Sequence, residues 1–209
     1  MAIALNKKSG TGRVHGVASE LTAFSTIKPG HANDLRAALE RFQERAQPRD
    51  RSVFERLGLR TQRHVIFDND RRVMWSTAFE SDWDPYPDDA LLLVGVQPFI
   101  DWMQHTMEAE EKLIPWIQQS GGADALSKGA NSPELQELVK RSSGGLKQII
   151  QSVQVPGTAY WNMLSDQTVP QIRKAQRVEQ AFQQVLDDPA AEQALQQPAL
   201  KPLLEQAAD

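Results

Sequence analysis

The sequence predicts an α+β fold whose elements run in the order β-α-β-β-α-β, and three observations predict it. Residues 20–27 alternate in the manner of a strand, with Leu21, Ala23, Ser25 and Ile27 on one side and Glu20, Thr22, Phe24 and Thr26 on the other. A segment of helical period follows directly after Pro29-Gly30. Two β-rich runs then flank Asp68-Asn69-Asp70, a turn composition that marks a hairpin.

Each element has its own local reason. From His31 to Ala46, Leu35, Ala38, Leu39 and Phe42 recur at helical spacing among Arg36, Glu40 and Arg41, which gives the first amphipathic helix. A polar stretch around Pro48–Ser52 leads to Leu59–Phe67 and Arg72–Phe79, the second and third strands. Acidic residues after Phe79 open a long apolar and aromatic stretch, Ala90–Trp116, broken at Pro98 into one helix or two. Between Ser120 and Gly145 the glycine and serine content rises around a helical island at Leu135, Leu138 and Val139, which reads as an insertion at about 118–157. The run TAYWNML, Thr158–Leu164, lies between Pro156-Gly157 and Ser165-Asp166 and reads as the fourth strand. Ile172, Ala175, Val178, Phe182 and Val185 then share one face of a last amphipathic helix, and 189–209, rich in Ala and Gln, reads as a docked helix or a fraying tail.

This order is the split β-α-β plan of a ferredoxin-like core, an antiparallel sheet with helices on one face. The expected organisation is a disordered tail over 1–16, a ferredoxin-like domain over 17–188 carrying the insertion, and a C-terminal extension over 189–209. The uncovered sheet face would be a large apolar patch, so a homo-oligomer, a dimer or larger, is expected.

Composition removes several function classes. A net charge of -4 over 209 residues gives no general attraction to polyanions, so no nucleic-acid partner is expected. The absence of cysteine excludes disulfide frameworks, thiolate metal sites and a cysteine nucleophile, and it fits a cytoplasmic, reducing compartment. The apolar start Ala2–Leu5 is shorter than a secretory core, and the run Ala90–Val96 falls far short of the roughly 20 residues that span a bilayer, so no membrane span is expected. No G-x-S-x-G, H-E-x-x-H or G-x-G-x-x-G pattern is present, and Ser142–Gly145 is no phosphate loop because Gln148 follows Lys147.

The stretch AFSTIKPGHAND, residues 23–34, resembles the first strand and helix entry of the dimeric α+β barrel superfamily, and RHVIFDNDRRVMWSTAFESDWDPYPDD, residues 63–89, resembles its hairpin and following helix start. That superfamily includes proteins similar to antibiotic-biosynthesis monooxygenases and, more distantly, haem-binding dye-decolourising peroxidases and chlorite dismutases. The resemblance implies a fold, and it admits haem as a cofactor. The haem branches' distal Asp and Arg with a proximal His are not matched position by position here, and the segment 121–157 departs from the compact plan.

Within that frame the candidate catalytic residues are Arg63, His64 and Asn162. Neighbours on a strand point to opposite faces, so only one of Arg63 and His64 faces the interior. An inward His64 would serve as a base or a haem ligand, and otherwise it is a structural histidine. Asn162, a polar group in an apolar run, marks the polar end of a pocket if it is buried. His105, following Phe99, Ile100, Trp102 and Met103, is the cofactor-binding candidate as an axial ligand, against a plain helix-boundary role. His31 is assigned to a helix start and His15 to the tail. No two of the four histidines sit at i and i+4, so no dedicated metal site is expected. Asp82, Asp84, Asp88 and Asp89 read as helix-start acids rather than a cation loop.

Two functions follow from this reading. One is an oxidoreductase, monooxygenase-like or haem-dependent, acting on a small apolar or aromatic molecule in a cavity of a dimeric barrel. The other is a non-catalytic ligand-binding or assembly protein whose C-terminal helices recruit a partner.

Overall fold

The computed structural model describes residues 4–5, 12–45, 52–128 and 132–207. It forms two compact units, divided between Val169 and Pro170.

The first unit holds one antiparallel sheet. Its strands are β1 (Ala4–Leu5), β2 (Arg13–His15), β3 (Ala18–Thr26), β4 (Leu59–Phe67) and β5 (Arg72–Phe79), in the spatial order β1-β2-β3-β5-β4. The hairpin β4–β5 has the expected bounds, and Asp68, Asn69 and Asp70 all take positive φ at its tip, a conformation that Asn and Asp tolerate better than most residues. Helix α1 (Ala32–Arg45) connects β3 to β4 and buries the predicted Leu35, Ala38 and Phe42. The short α2 (Ser52–Leu57) precedes β4.

After β5 come α3 (Pro85–Val94), α4 (Gln97–Met103), a π-helical turn (Ala109–Leu113), α5 (Ile114–Gln119), α6 (Gly122–Leu126) and α7 (Pro133–Val153). The break between α3 and α4 falls at Gly95, just before Pro98. Leu21, Ala23, Val73, Trp75 and Phe79 of the sheet pack against this helical layer to form one core. Phe79 stacks on Tyr86 with ring centres 3.9 Å apart. The other face carries Thr22, Phe24, Arg63, Val65, Met74 and Ser76, each partly or fully exposed.

Four expectations are corrected. Residues 158–164 form no strand. The chain returns to β3 earlier, through a single antiparallel bridge from Gln154 to Ala23 and a 2.8 Å bond from the Val155 N–H to the Thr22 carbonyl. Pro156 has no N–H to continue such a ladder, and the start of that edge of β3, at Ala18 and Ser19, is already taken by β2. The supposed tail 1–16 therefore contributes β1 and β2, with the Arg13 N–H bonded to the Glu20 carboxylate at 3.0 Å, while 1–3 and 6–11 lie outside the described residues. The supposed insertion supplies α7, whose Leu135, Leu138, Val139, Leu146, Ile149 and Ile150 are core. The boundary expected at 188/189 falls at 169/170 instead.

The second unit holds most of α8 (Val169–Leu186), then α9 (Glu192–Leu195) and α10 (Lys201–Ala207), with short 3-10 turns between them. None of these three helices has a buried residue. Among the described residues no helix is long and apolar enough to cross a membrane.

Candidate metal centre at the junction of His31 and His105

The chain leaves β3 through a turn that the sequence dictates. Pro29 and Gly30 occupy its two central positions, Gly30 at φ 81°, and the His31 N–H returns to the Lys28 carbonyl at 3.0 Å. This is the Pro-Gly arrangement of a type II turn, whose second central residue needs positive φ. The His31 carbonyl then accepts the first bond of α1, from the Leu35 N–H at 2.9 Å, and Asp34 stands in the first turn of that helix.

His105 arrives from the other side, two residues beyond α4. Its N–H bonds to the Trp102 carbonyl at 3.2 Å, and its own carbonyl accepts from the Lys28 N–H at 3.0 Å. Next to it, Ile27 and Thr106 form an isolated antiparallel bridge. These backbone bonds clamp the end of β3 to the end of α4 and bring the two imidazoles together, with ring centres 5.4 Å apart and planes tilted by 46°. Their Nδ1 atoms are 3.1 Å apart, and a carboxylate oxygen of Asp34 completes a group whose ligand atoms all lie within 4.8 Å of one another.

That spacing suits a shared metal ion. Two nitrogens bound at about 2.1 Å stand about 3.0 Å apart at a right angle and about 3.4 Å apart at the tetrahedral angle. The two histidines are half-buried and Asp34 is exposed, so solvent-facing coordination positions stay open. Partial burial and the facing His31 push the His105 pKa below its ordinary value, against the opposing pull of Asp34 and Asp101. Asp101 is itself held low by Arg41, which grips it with two bonds of 2.9 Å.

The candidates Arg63, His64 and Asn162 do not converge. Arg63 pairs with Ser76 on the exposed face of the sheet, whereas His64 pairs with Trp75 on the helical face. Asn162 lies in the irregular segment, where its side chain accepts from Arg60 at 3.2 Å and from the Leu164 N–H at 3.0 Å. Among the described residues no hydrogen bond joins it to Arg63 or His64.

His64 sits in an aromatic nest, with Trp102 at 5.0 Å, Phe42 at 5.5 Å and Trp75 at 6.4 Å between ring centres. Burial lowers its pKa to about 4, so it is neutral at pH 7 and a poor proton acceptor. Its Nε2 is buried without a hydrogen-bond partner among the described residues, as are Gln62 Nε2, Trp75 Nε1 and Trp102 Nε1.

Neither apolar cavity between the sheet and the helices has room for haem. The two apolar cavities between sheet and helices measure about 30 and 20 Å³, whereas ligand pockets usually occupy roughly 300–1,000 Å³. A larger open groove of about 890 Å³ runs between α1 and β4, but its walls include Arg36, Glu40 and Arg63, and the His64 Nε2 is buried away from solvent.

Sequence reasoning placed His105 among the candidates but missed its partners, and it expected no metal site. It tested ligand spacing within one helix, whereas His31 and His105 stand 74 positions apart on separate elements. The Pro-Gly turn ahead of His31 was the one visible signal that this side chain would be held in place. No family model, curated protein or solved structure matches the chain.

Proposed function

We propose that this protein is an oxidoreductase that works through a mononuclear metal ion held by His31, Asp34 and His105, rather than through haem. The observation that carries the reading is the 3.1 Å approach of the two Nδ1 atoms beside a carboxylate. Two histidines and one carboxylate with open positions are the ligand set of non-haem Fe(II) oxygenases. Because the site is half-buried, the substrate in this reading is met at the surface and not in an enclosed cavity.

The test is calorimetric titration of the whole chain with Fe(II) under anaerobic conditions, and with Mn(II) and Zn(II), followed by oxygen-uptake measurements on the Fe(II)-loaded protein. One ion per chain is expected, with affinity reduced at least about tenfold in His31→Ala and in His105→Ala, a loss typical of perturbing a metal site. Absence of binding, or binding that both variants retain, overturns the metal site. Binding without oxygen uptake overturns the oxidoreductase assignment alone.

In this reading the core is ferredoxin-like. β3, β4 and β5 supply its first three strands, with β5 in the middle, and α1 its first helix, and the Gln154 bridge stands where a fourth strand would lie. The absence of cysteine supports a cytoplasmic location.

A further inference from the structure

We propose that α8 is a self-association element that pairs antiparallel with α8 of a second copy of this chain. The inference is independent of the metal site.

Ala175, Val178, Phe182 and Val185 recur at spacings of three, four and three, the pattern of a two-helix seam. None is buried, and Val178 and Val185 are 60% and 43% exposed. A helix of this length is marginal in water on its own and gains its stability by packing an apolar stripe.

Charge selects both the occupant and the direction. Arg173, Lys174 and Arg177 make the first half of α8 basic, while Asp187 and Asp188 follow its end. Two parallel copies would set like charges side by side. Two antiparallel copies bring the basic half of each to the acidic end of the other, which is the self-complementarity that a two-fold axis demands.

With the axis beside Gln180, Ala175 meets Val185 of the second copy and Val178 meets Phe182, small against large in both layers. Ile172 and Leu186 extend the stripe at its two ends. Lys174 then stands toward the acidic end of the second copy, where Asp187 and Asp188 follow the last turn of α8, once on each side of the axis. Glu179 is the exception, because it faces Glu179 of the second copy and opposes the pairing.

Sedimentation of the full-length chain over a range of concentrations tests this. The expected result is a dimer that Val178→Asp converts to a monomer with the far-ultraviolet spectrum of the first unit unchanged. Lys174→Asp should weaken the dimer several-fold, Asp188→Lys in the same chain should restore it, and Glu179→Gln should tighten it. A chain that stays monomeric at every concentration overturns the proposal, as does a dimer that survives Val178→Asp. A dimer lost on Val65→Asp instead assigns the association to the open sheet face and overturns it too. Failure of the charge exchange to restore association overturns the antiparallel arrangement.

Discussion

Arg60 and Glu80 form a buried ion pair at 2.9 Å, with side chains only 7% and 8% exposed. Arg60 reaches Glu80 because it is the extra residue of a bulge. Leu59 pairs with Phe79 and Thr61 with Ala78, which leaves Arg60 unpaired and re-aims its side chain. Gly58, at φ 66°, leaves room for Glu80, since a Cβ there would lie 2.9 Å from the Glu80 Cβ. The guanidinium also donates to Asn162, Leu164 and Gln167, and Glu80 accepts the Val169 N–H, so the pair anchors the irregular segment before α8.

Removing one partner strands the other charge in a buried site. Arg60→Ala is therefore expected to cost about 3–5 kcal/mol of unfolding free energy in urea titrations. It should also open residues 162–168 to limited proteolysis, because their anchors are gone. Unchanged stability would show that the pair is not a hub.

His64 makes stability depend on pH. Its folded pKa of about 4 lies below the unfolded value near 6.5, so the unfolded chain binds the extra proton between those limits. The stability present above pH 6.5 is lost as pH falls toward 4, by about 3 kcal/mol in all. His64→Phe removes the titrating group from an aromatic nest, and its denaturation midpoint should respond less to pH across that window. Parallel titration curves for the two proteins would contradict the assignment.

Gly144 and Gly145 are neighbours on α7 with opposite environments. A Cβ at 144 meets nothing within 4 Å, whereas a Cβ at 145 would stand 2.6 Å from the Trp116 ring. Gly144→Ala should raise stability by about 0.5–1 kcal/mol through helix propensity. Gly145→Ala should lower it by about 1–3 kcal/mol through overpacking, and it should strain the 2.8 Å bond from Trp116 Nε1 to the Ser142 carbonyl. Thermal melts of the two variants read the difference in sign.

Thr77 donates its single hydroxyl proton to the Thr61 carbonyl at 3.0 Å, so the Tyr86 hydroxyl, 3.1 Å away, is the donor to Thr77. Tyr86→Phe leaves Thr77 with a partner and should cost about 1 kcal/mol. Thr77→Val leaves the buried tyrosine hydroxyl without an acceptor and should cost more, up to about 3 kcal/mol, in chemical denaturation.

Local patterning made α1 and the β4–β5 hairpin legible, because the helical stripe at Leu35, Ala38 and Phe42 and the Asp-Asn-Asp turn each determine structure within a few residues. Whatever depends on distant partners was not legible. TAYWNML has strand composition, but nothing local shows that the edge of β3 is occupied by Arg13–His15. The double glycine in α7 reads as a breaker until Trp116 is known to pack against Gly145. The inward direction of His64 followed once the register with Trp75 was set, and the His31–His105 contact joins segments that no spacing rule connects.

One edge of the sheet is finished in an unusual way. Below the β2 pairing, that edge of β3 bonds to Gln154 and Val155 among the described residues, and the Thr26 N–H is taken by both carboxylate oxygens of Glu108 at 3.2 Å. A side chain thus occupies hydrogen-bonding capacity that a further strand would otherwise claim. Among the described residues β4 keeps the long unpaired margin, and there the exposed Arg63 supplies a charge of the kind that discourages edge-to-edge stacking. Resistance to aggregation in this fold therefore rests on two different devices, a carboxylate plug on one margin and an exposed arginine on the other.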